Sequence, residues 1–229
     1  KALSEQNLLL RADLQRLGRP AQHPTEPGQL ERLLYWLRYQ QTVRGNVPKF
    51  IVSSSVFVPN PVKSTRSGYK NKEASDSWPG FPTTRRDILD CIVENKIDNV
   101  VFLSGDVHCS NVAQMTFHNG PGDHLTAYCL TASAFYWPFS FADGSPSDYV
   151  HDSTDPKTKD TFELSPGNGT MDYTAWGFTQ EDNFSRVDID PESQRLLFHL
   201  FDQQGSAIKT RKKNGSVNST PQRLKLTAW

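Results

Sequence analysis

An α/β protein with parallel strands at its centre is predicted by three observations. The run Val100-Val101-Phe102-Leu103 is short and wholly apolar, as a strand covered on both faces must be. An amphipathic helical stretch immediately precedes it, and a β-rich run from Phe50 to Val58 precedes that, so strand, helix and strand follow in the order of a βαβ unit. Near the carboxyl end, Val187 and Ile189 alternate on one segment and Leu196, Phe198 and Leu200 on the next, across Asp190-Pro191-Glu192-Ser193, the pattern of a β-hairpin.

Each element has its own signature. Leu30, Leu33, Leu34 and Leu37 recur at helical spacing between Gln29 and Gln41, with Pro27 before them and Arg44-Gly45-Asn46 ending the run. Phe50-Ile51-Val52 and Val56-Phe57-Val58 bracket three serines in one strand that stops at Pro59-Asn60-Pro61. Residues 59–82 are polar, with Lys63, Arg66, Lys70 and Lys72, and too long for an idle connection. Thr84 to Asp87 matches a capping box, opening a helix whose Ile88, Leu89, Ile92 and Val93 face inward and which ends over Asn95–Asn99. Val112–Phe117 and Leu125–Leu130 read as further strands joined through Asn119-Gly120-Pro121-Gly122, and residues 133–182 as a long irregular section. The basic segment after Thr210 (Arg211, Lys212, Lys213, Arg223, Lys225) has no apolar periodicity and is expected to be mobile.

Size and charge narrow the function. The 229 residues suffice for one large domain or two small ones, and 25 basic residues balance 25 acidic ones, so no global field draws the chain to nucleic acid or to a membrane surface. No stretch approaches the ~18 apolar residues of a membrane span. Leu8-Leu9-Leu10 is too brief for a signal-peptide core, and a chain beginning with Lys1 is expected to be processed or a fragment. Cys91, Cys109 and Cys129 lack the spacing of a disulfide framework or a zinc cluster and read as buried thiols. Asn-x-Ser/Thr sequons at Asn168, Asn183, Asn214 and Asn218 hint weakly at an extracytoplasmic chain.

Chemistry concentrates in Leu103-Ser104-Gly105-Asp106-Val107-His108. The carboxyl end of a buried parallel strand is where open α/β sheets gather ligands. Residues i and i+2 leaving a strand point the same way, so Asp106 and His108 can converge on one divalent ion or on two adjacent ones. The competing reading has Asp106 capping the following turn and His108 hydrogen-bonded in the core. Arg85 and Arg86 open a helix, where surface solvation competes with a fork to phosphate. His118, His124 and His199 read as surface residues, the place of His151 beside Asp152 leaves a role at the site's edge open, and Asn183 reads as a cap or a glycan acceptor.

The run Asp76-Ser77-Trp78-Pro79-Gly80-Phe81-Pro82, Arg85-Arg86, a helix and Asn99-Val100-Val101-Phe102-Leu103-Ser104-Gly105-Asp106-Val107-His108 resembles the carboxyl-terminal half of the PhoD-like alkaline phosphatases. Upstream, His23-Pro24-Thr25 with Gln29-Leu30 and Leu37 resembles the helix before that half, and Thr131-Ala132-Ser133 with Tyr136-Trp137-Pro138 the segment after it; the similarity runs along about residues 8 to 205. These relatives belong to the calcineurin-like metallophosphoesterases. The resemblance implies part of a four-layer α/β/β/α sandwich with a dinuclear metal centre at its loop ends. It further implies hydrolysis of a phosphomonoester or phosphodiester substrate, with Asp106 and His108 as metal ligands, and a periplasmic or secreted protein. The wider superfamily carries Gly-His-x-His at this place, and the hard carboxylate of Asp106 suits two ions such as Ca²⁺ and Fe³⁺. Trp78, with Asp76 beside it, is expected to line the substrate mouth by packing on the organic part of the phosphoester, the alternative being an anchor for its own loop.

The family's amino-terminal metal motifs have no counterpart before residue 76. Two ligands cannot hold two catalytic metals, so residues 1–210 are expected to be the carboxyl-terminal part of a phosphatase domain, lacking its amino-terminal half and inactive alone, with 211–229 a basic tail. The rival expectation is a non-catalytic α/β interaction module that binds through its aromatic loop and basic tail.

Overall fold

The βαβ unit forms in the computed structural model, which describes residues 28–61, 78–105, 107–132, 150–154, 160–218 and 220–229. Helix α1 (Gln29–Arg44) buries Tyr35 and Leu37, while Leu33 and Leu34 are only half covered. Gly45, at φ 62°, ends it with an amide bond back to the Gln41 carbonyl. β1 (Lys49–Ser53) pairs in parallel with β2 (Val100–Ser104), and α2 (Pro82–Glu94) makes the crossover.

Two predicted details differ here. The β-rich run does not continue through Val58, because the Ser53 hydroxyl donates to the Ser55 carbonyl and turns the chain out of the sheet. Val56, Phe57 and Val58 are buried nonetheless. The capping box is not used either: Pro82, whose ring presets a helical φ, takes the first helical position, so Thr84 lies already inside the first turn. Phe81 precedes it without a side-chain cap. The predicted inner face holds, with Ile88, Leu89, Ile92 and Val93 all buried.

Among the described residues the main sheet has eight strands: β1, β2, β4 (Thr126–Thr131), β3 (Ser110–His118), β6 (Thr170–Thr179), β9 (Thr210–Arg211) and β10 (Val217–Asn218) lie side by side in that order, with β5 (Phe162–Glu163) on β6. β4 (Thr126–Thr131) lies parallel to β2, whereas β3 (Ser110–His118) runs antiparallel between β4 and β6 (Thr170–Thr179). β5 (Phe162–Glu163) and β6 fall inside the section expected to be irregular. Met171, Tyr173 and Ala175 alternate inward along β6. That strand closes on β3 through a close backbone approach: a Cβ built on Gly169 (φ 81°) would sit 2.0 Å from the His118 carbonyl oxygen, so only glycine fits.

Among the described residues the second sheet has three strands, β11 (Gln222–Lys225), β8 (Arg195–Phe201) and β7 (Phe184–Asp190), all antiparallel. β7 and β8 are the predicted hairpin. Val101, Val112, Tyr128 and Leu130 from the main sheet pack on Leu196, Phe198, Leu200, Leu224 and Leu226, burying the inner faces of both sheets. The neighbouring Phe102 faces the other way and stacks on Phe57 at 3.9 Å between ring centroids; Arg85 of α2 lies over that same ring. Helix and second sheet therefore cover opposite faces of β2.

The segment after Thr210, expected to be mobile, is built into this arrangement. β9 (Thr210–Arg211) and β10 (Val217–Asn218) pair with each other, and β9 pairs with β6. Leu224 and Leu226 supply apolar core, and Asn99 clasps the end of the chain: its Nδ2 donates to the Thr227 and Asn46 carbonyls while its Oδ1 accepts from the Thr227 amide. Residues spaced two apart, Gln222, Leu224 and Leu226, carried this signal beneath the basic composition. Leu33–Trp229 form one compact unit.

Candidate functional site

The carboxyl ends of β1 and β2 lie side by side, because the parallel register sets Ser53 opposite Ser104. Two further segments are tied to this edge. Trp78 opens a short 3-10 turn (Trp78–Gly80), and its indole Nε1–H donates to Ser53 Oγ at 2.9 Å. The Ala132 amide donates to the Ser104 carbonyl at 3.0 Å, which brings the end of β4 alongside. Beneath the edge, Phe57 meets the Trp78 ring edge-on at 4.9 Å and Phe102 face-on.

From this edge the chain runs through Gly105, Asp106, Val107 and His108 to the buried Cys109 and into β3. Asp106 and Asp76 lie outside the described residues, as do Tyr136-Trp137-Pro138 and the lysines between Pro61 and Trp78. His108 is half-buried, and its backbone is left-handed at φ 47°. The alternation argument therefore does not apply at His108: residues 107 and 108 form a bend, so the imidazole's direction is set by this turn rather than by the pleat. A non-glycine residue held there costs roughly 1–2 kcal/mol, which the surrounding structure must offset. Metal donors of the right kind are present, a carboxylate and an imidazole two residues apart at a strand end, yet among the described residues no three His, Cys, Asp or Glu side chains gather to hold an ion.

The remaining candidates separate clearly. Arg86 is exposed as expected, but Arg85 is not: it is 2% exposed, and its Nη1 donates to Asn60 Oδ1 at 2.8 Å. Burial pushes its guanidinium down to about 10, partly offset by Tyr173 and Asp160. Its place on the inner face was legible from spacing, since Ile88, Leu89 and Ile92 follow at three, four and seven residues. His118 and His124 are exposed, with Asp172 and Asp123 beside them. His199 is more enclosed than expected, its side chain 16% exposed and its Nε2 3.0 Å from Asp188 Oδ2. The His151 amide donates to the Asn60 carbonyl. Asn183 is buried, accepting from Ser110 Oγ and donating to the Glu181 carbonyl, and Asn168 is buried against Asp90 and Glu94. Neither asparagine can carry a glycan in this fold. The three cysteines are buried and free, and burial keeps their thiols protonated, Cys109 up to about 12.

The chain matches the PhoD-like phosphatase family over residues 20–186 and belongs to it. It is also similar to a solved structure described as "Structure of PhoD", at 14% identity and a TM-score of 0.35, covering 86% of this chain and 35% of that one. The chain thus spans about a third of the length of that protein. Comparison with curated proteins finds no match. Among the described residues no helix is long and apolar enough to cross a membrane.

Proposed function

We propose that this chain supplies the last ligand motif, Asp106 and His108, of a dinuclear metal centre that hydrolyses phosphoesters. The observation that carries the reading is His108 itself: an imidazole held half-buried on a left-handed bend, at the carboxyl end of a parallel strand, inside the stretch that matches the PhoD-like family. Asp106 contributes the hard oxygen ligand that suits Ca²⁺ and Fe³⁺, and Trp78, held by Ser53 and Phe57, offers its indole face to the organic part of the ester. Bound ions in such a centre supply an activated water and neutralise the phosphoryl oxygens. The other ligands come from the part of a PhoD-like enzyme that these residues do not span.

The test is hydrolysis of p-nitrophenyl phosphate and its bis-ester, with Ca²⁺ and Fe³⁺ or with chelator. The protein containing these residues should turn over in a metal-dependent manner, and the 229 residues alone should not. Asp106→Asn should cost more than the about 10–100-fold lost on removing a mere outer-shell partner. Turnover indifferent to chelator and to Asp106→Asn overturns the proposal.

A further inference from the structure

Arg85 is a desolvated cation whose surroundings ask for a reason. Its guanidinium carbon lies 4.1 Å from the centroid of the Phe162 ring and 5.3 Å from that of Phe57, and both Nε and Nη2 are buried without a hydrogen-bond partner among the described residues. An aliphatic side chain of similar volume would fill this space at lower cost, because buried charge and unsatisfied donors are both expensive. What the charge holds is Asn60. Every polar group of that residue is engaged: Oδ1 accepts from Arg85, Nδ2 donates to Asp160 Oδ2 at 2.7 Å, the amide donates to Tyr173 Oη at 3.0 Å and the carbonyl accepts from the His151 amide at 2.8 Å. Tyr173 Oη in turn donates to the same Asp160 oxygen, so the cation is balanced at second remove. Pro61, next in the chain, bridges to Val150. On its other side, the Phe57 ring that Arg85 overlies is the one that supports Trp78 at the strand edge.

We propose that Arg85 is a positioning residue for the phosphoester site. Through Phe57 it sets the Trp78 indole against Ser53, and through Asn60 it sets the junction of Pro61 with Val150. Its kinetic consequence rests on the phosphoester reading; the structural coupling does not.

The two are separated by measuring them separately. Nuclear magnetic resonance of the ¹⁵N-labelled protein reads the Trp78 indole N–H and the exchange of the Asn60 and His151 amides, with the β7–β8 hairpin amides as an internal control. Arg85→Met should shift the indole resonance and speed the Asn60 and His151 amides about tenfold or more while the hairpin keeps its protection. Asn60→Ala should speed the His151 amide and leave the indole where it was, since the ring stack survives. If Arg85→Met does not fold, Arg85→Lys carries the test: it keeps the charge but loses the planar stack, and should move the indole resonance. In the active enzyme, Arg85→Met should raise KM for p-nitrophenyl phosphate about tenfold with metal content unchanged and kcat less affected. A lowered Tm with the indole and both amides as in the wild type makes Arg85 merely structural and ends the proposal. So does an unchanged KM in an active enzyme. Absence of any hydrolysis by the longer wild-type protein that contains these residues, loaded with metal, defeats the phosphoester reading instead, and the resonance and exchange arms still decide the coupling.

Discussion

Replacing His108 by glycine and, separately, by alanine separates what its backbone costs from what its ring does. Both substitutions remove the imidazole, so the difference between them isolates the left-handed turn at φ 47°. Holding an L-residue there costs roughly 1–2 kcal/mol, which alanine still bears and glycine does not. Glycine gives back about 0.5–1 kcal/mol through the greater freedom of its unfolded chain. His108→Gly should therefore be more stable than His108→Ala by about 0.5–1 kcal/mol, a gap of about 1–4 °C in Tm for a protein of this size. Calorimetry with chelator present resolves that gap. Metal is then added. A bound ion at a hundred times its Kd stabilises the native state by about 2.7 kcal/mol, and each tenfold loss of affinity removes about 1.4 kcal/mol of it. In the longer protein that contains these residues together with the other ligands, the wild type should show the full metal-dependent rise in Tm and both variants a much smaller one. Alanine equal to or above glycine refutes the strained turn. A metal-dependent rise as large in both variants as in the wild type refutes the ligand.

Other substitutions probe the frame around the site. Asn99→Ala removes three hydrogen bonds to Asn46 and Thr227 and should cost about 2–3 kcal/mol in urea unfolding, with the chain beyond Leu226 becoming protease-sensitive first. Gly169→Ala drives a Cβ to 2.0 Å from a backbone oxygen at a positive φ, and should reduce soluble expression or lower Tm by more than any surface substitution; a neutral result refutes the close approach of β3 and β6. Burial pushes Lys49, whose ammonium donates to the Gly45, Val47 and Asp98 carbonyls, down to about 8 from 10.5. The unfolded chain then holds the extra proton between those values, so the stability of the wild type relative to Lys49→Met should rise from about pH 8 to 10.5 and fall as pH drops through about 8; a flat difference refutes the desolvation.

Much of this architecture was legible because burial leaves plain marks on composition. Val100 to Leu103 could only be a strand covered on both faces, and its neighbours in sequence then required the crossover. β6 escaped notice because Asp172, Thr174 and Gly177 gave its segment a loop's composition, although Met171, Tyr173 and Ala175 kept a strand's period. Local signals failed where tertiary contacts decide the outcome. Thr84 had capping chemistry, but Pro82 had already started the helix. Arg85 was read by its charge instead of its spacing, and its destination depends on Phe57, Asn60 and Phe162, which are distant in sequence. At the site, the motif's position followed from the strand, whereas the left-handed turn at His108 is a property of how the chain must re-enter the sheet at Ser110.

The three enclosed thiols turn the molecule into its own opening gauge. Protonated and out of reach, Cys91, Cys109 and Cys129 are poor targets for an alkylating reagent until their surroundings part. They occupy different places: Cys91 on α2, Cys109 one residue past His108, Cys129 in β4 between β2 and β3. The order in which they take up label is thus a map of how the native state loosens. Label at Cys109 ahead of Cys129 marks breathing of the connector at the site while the sheet stays closed; simultaneous label at all three marks global unfolding.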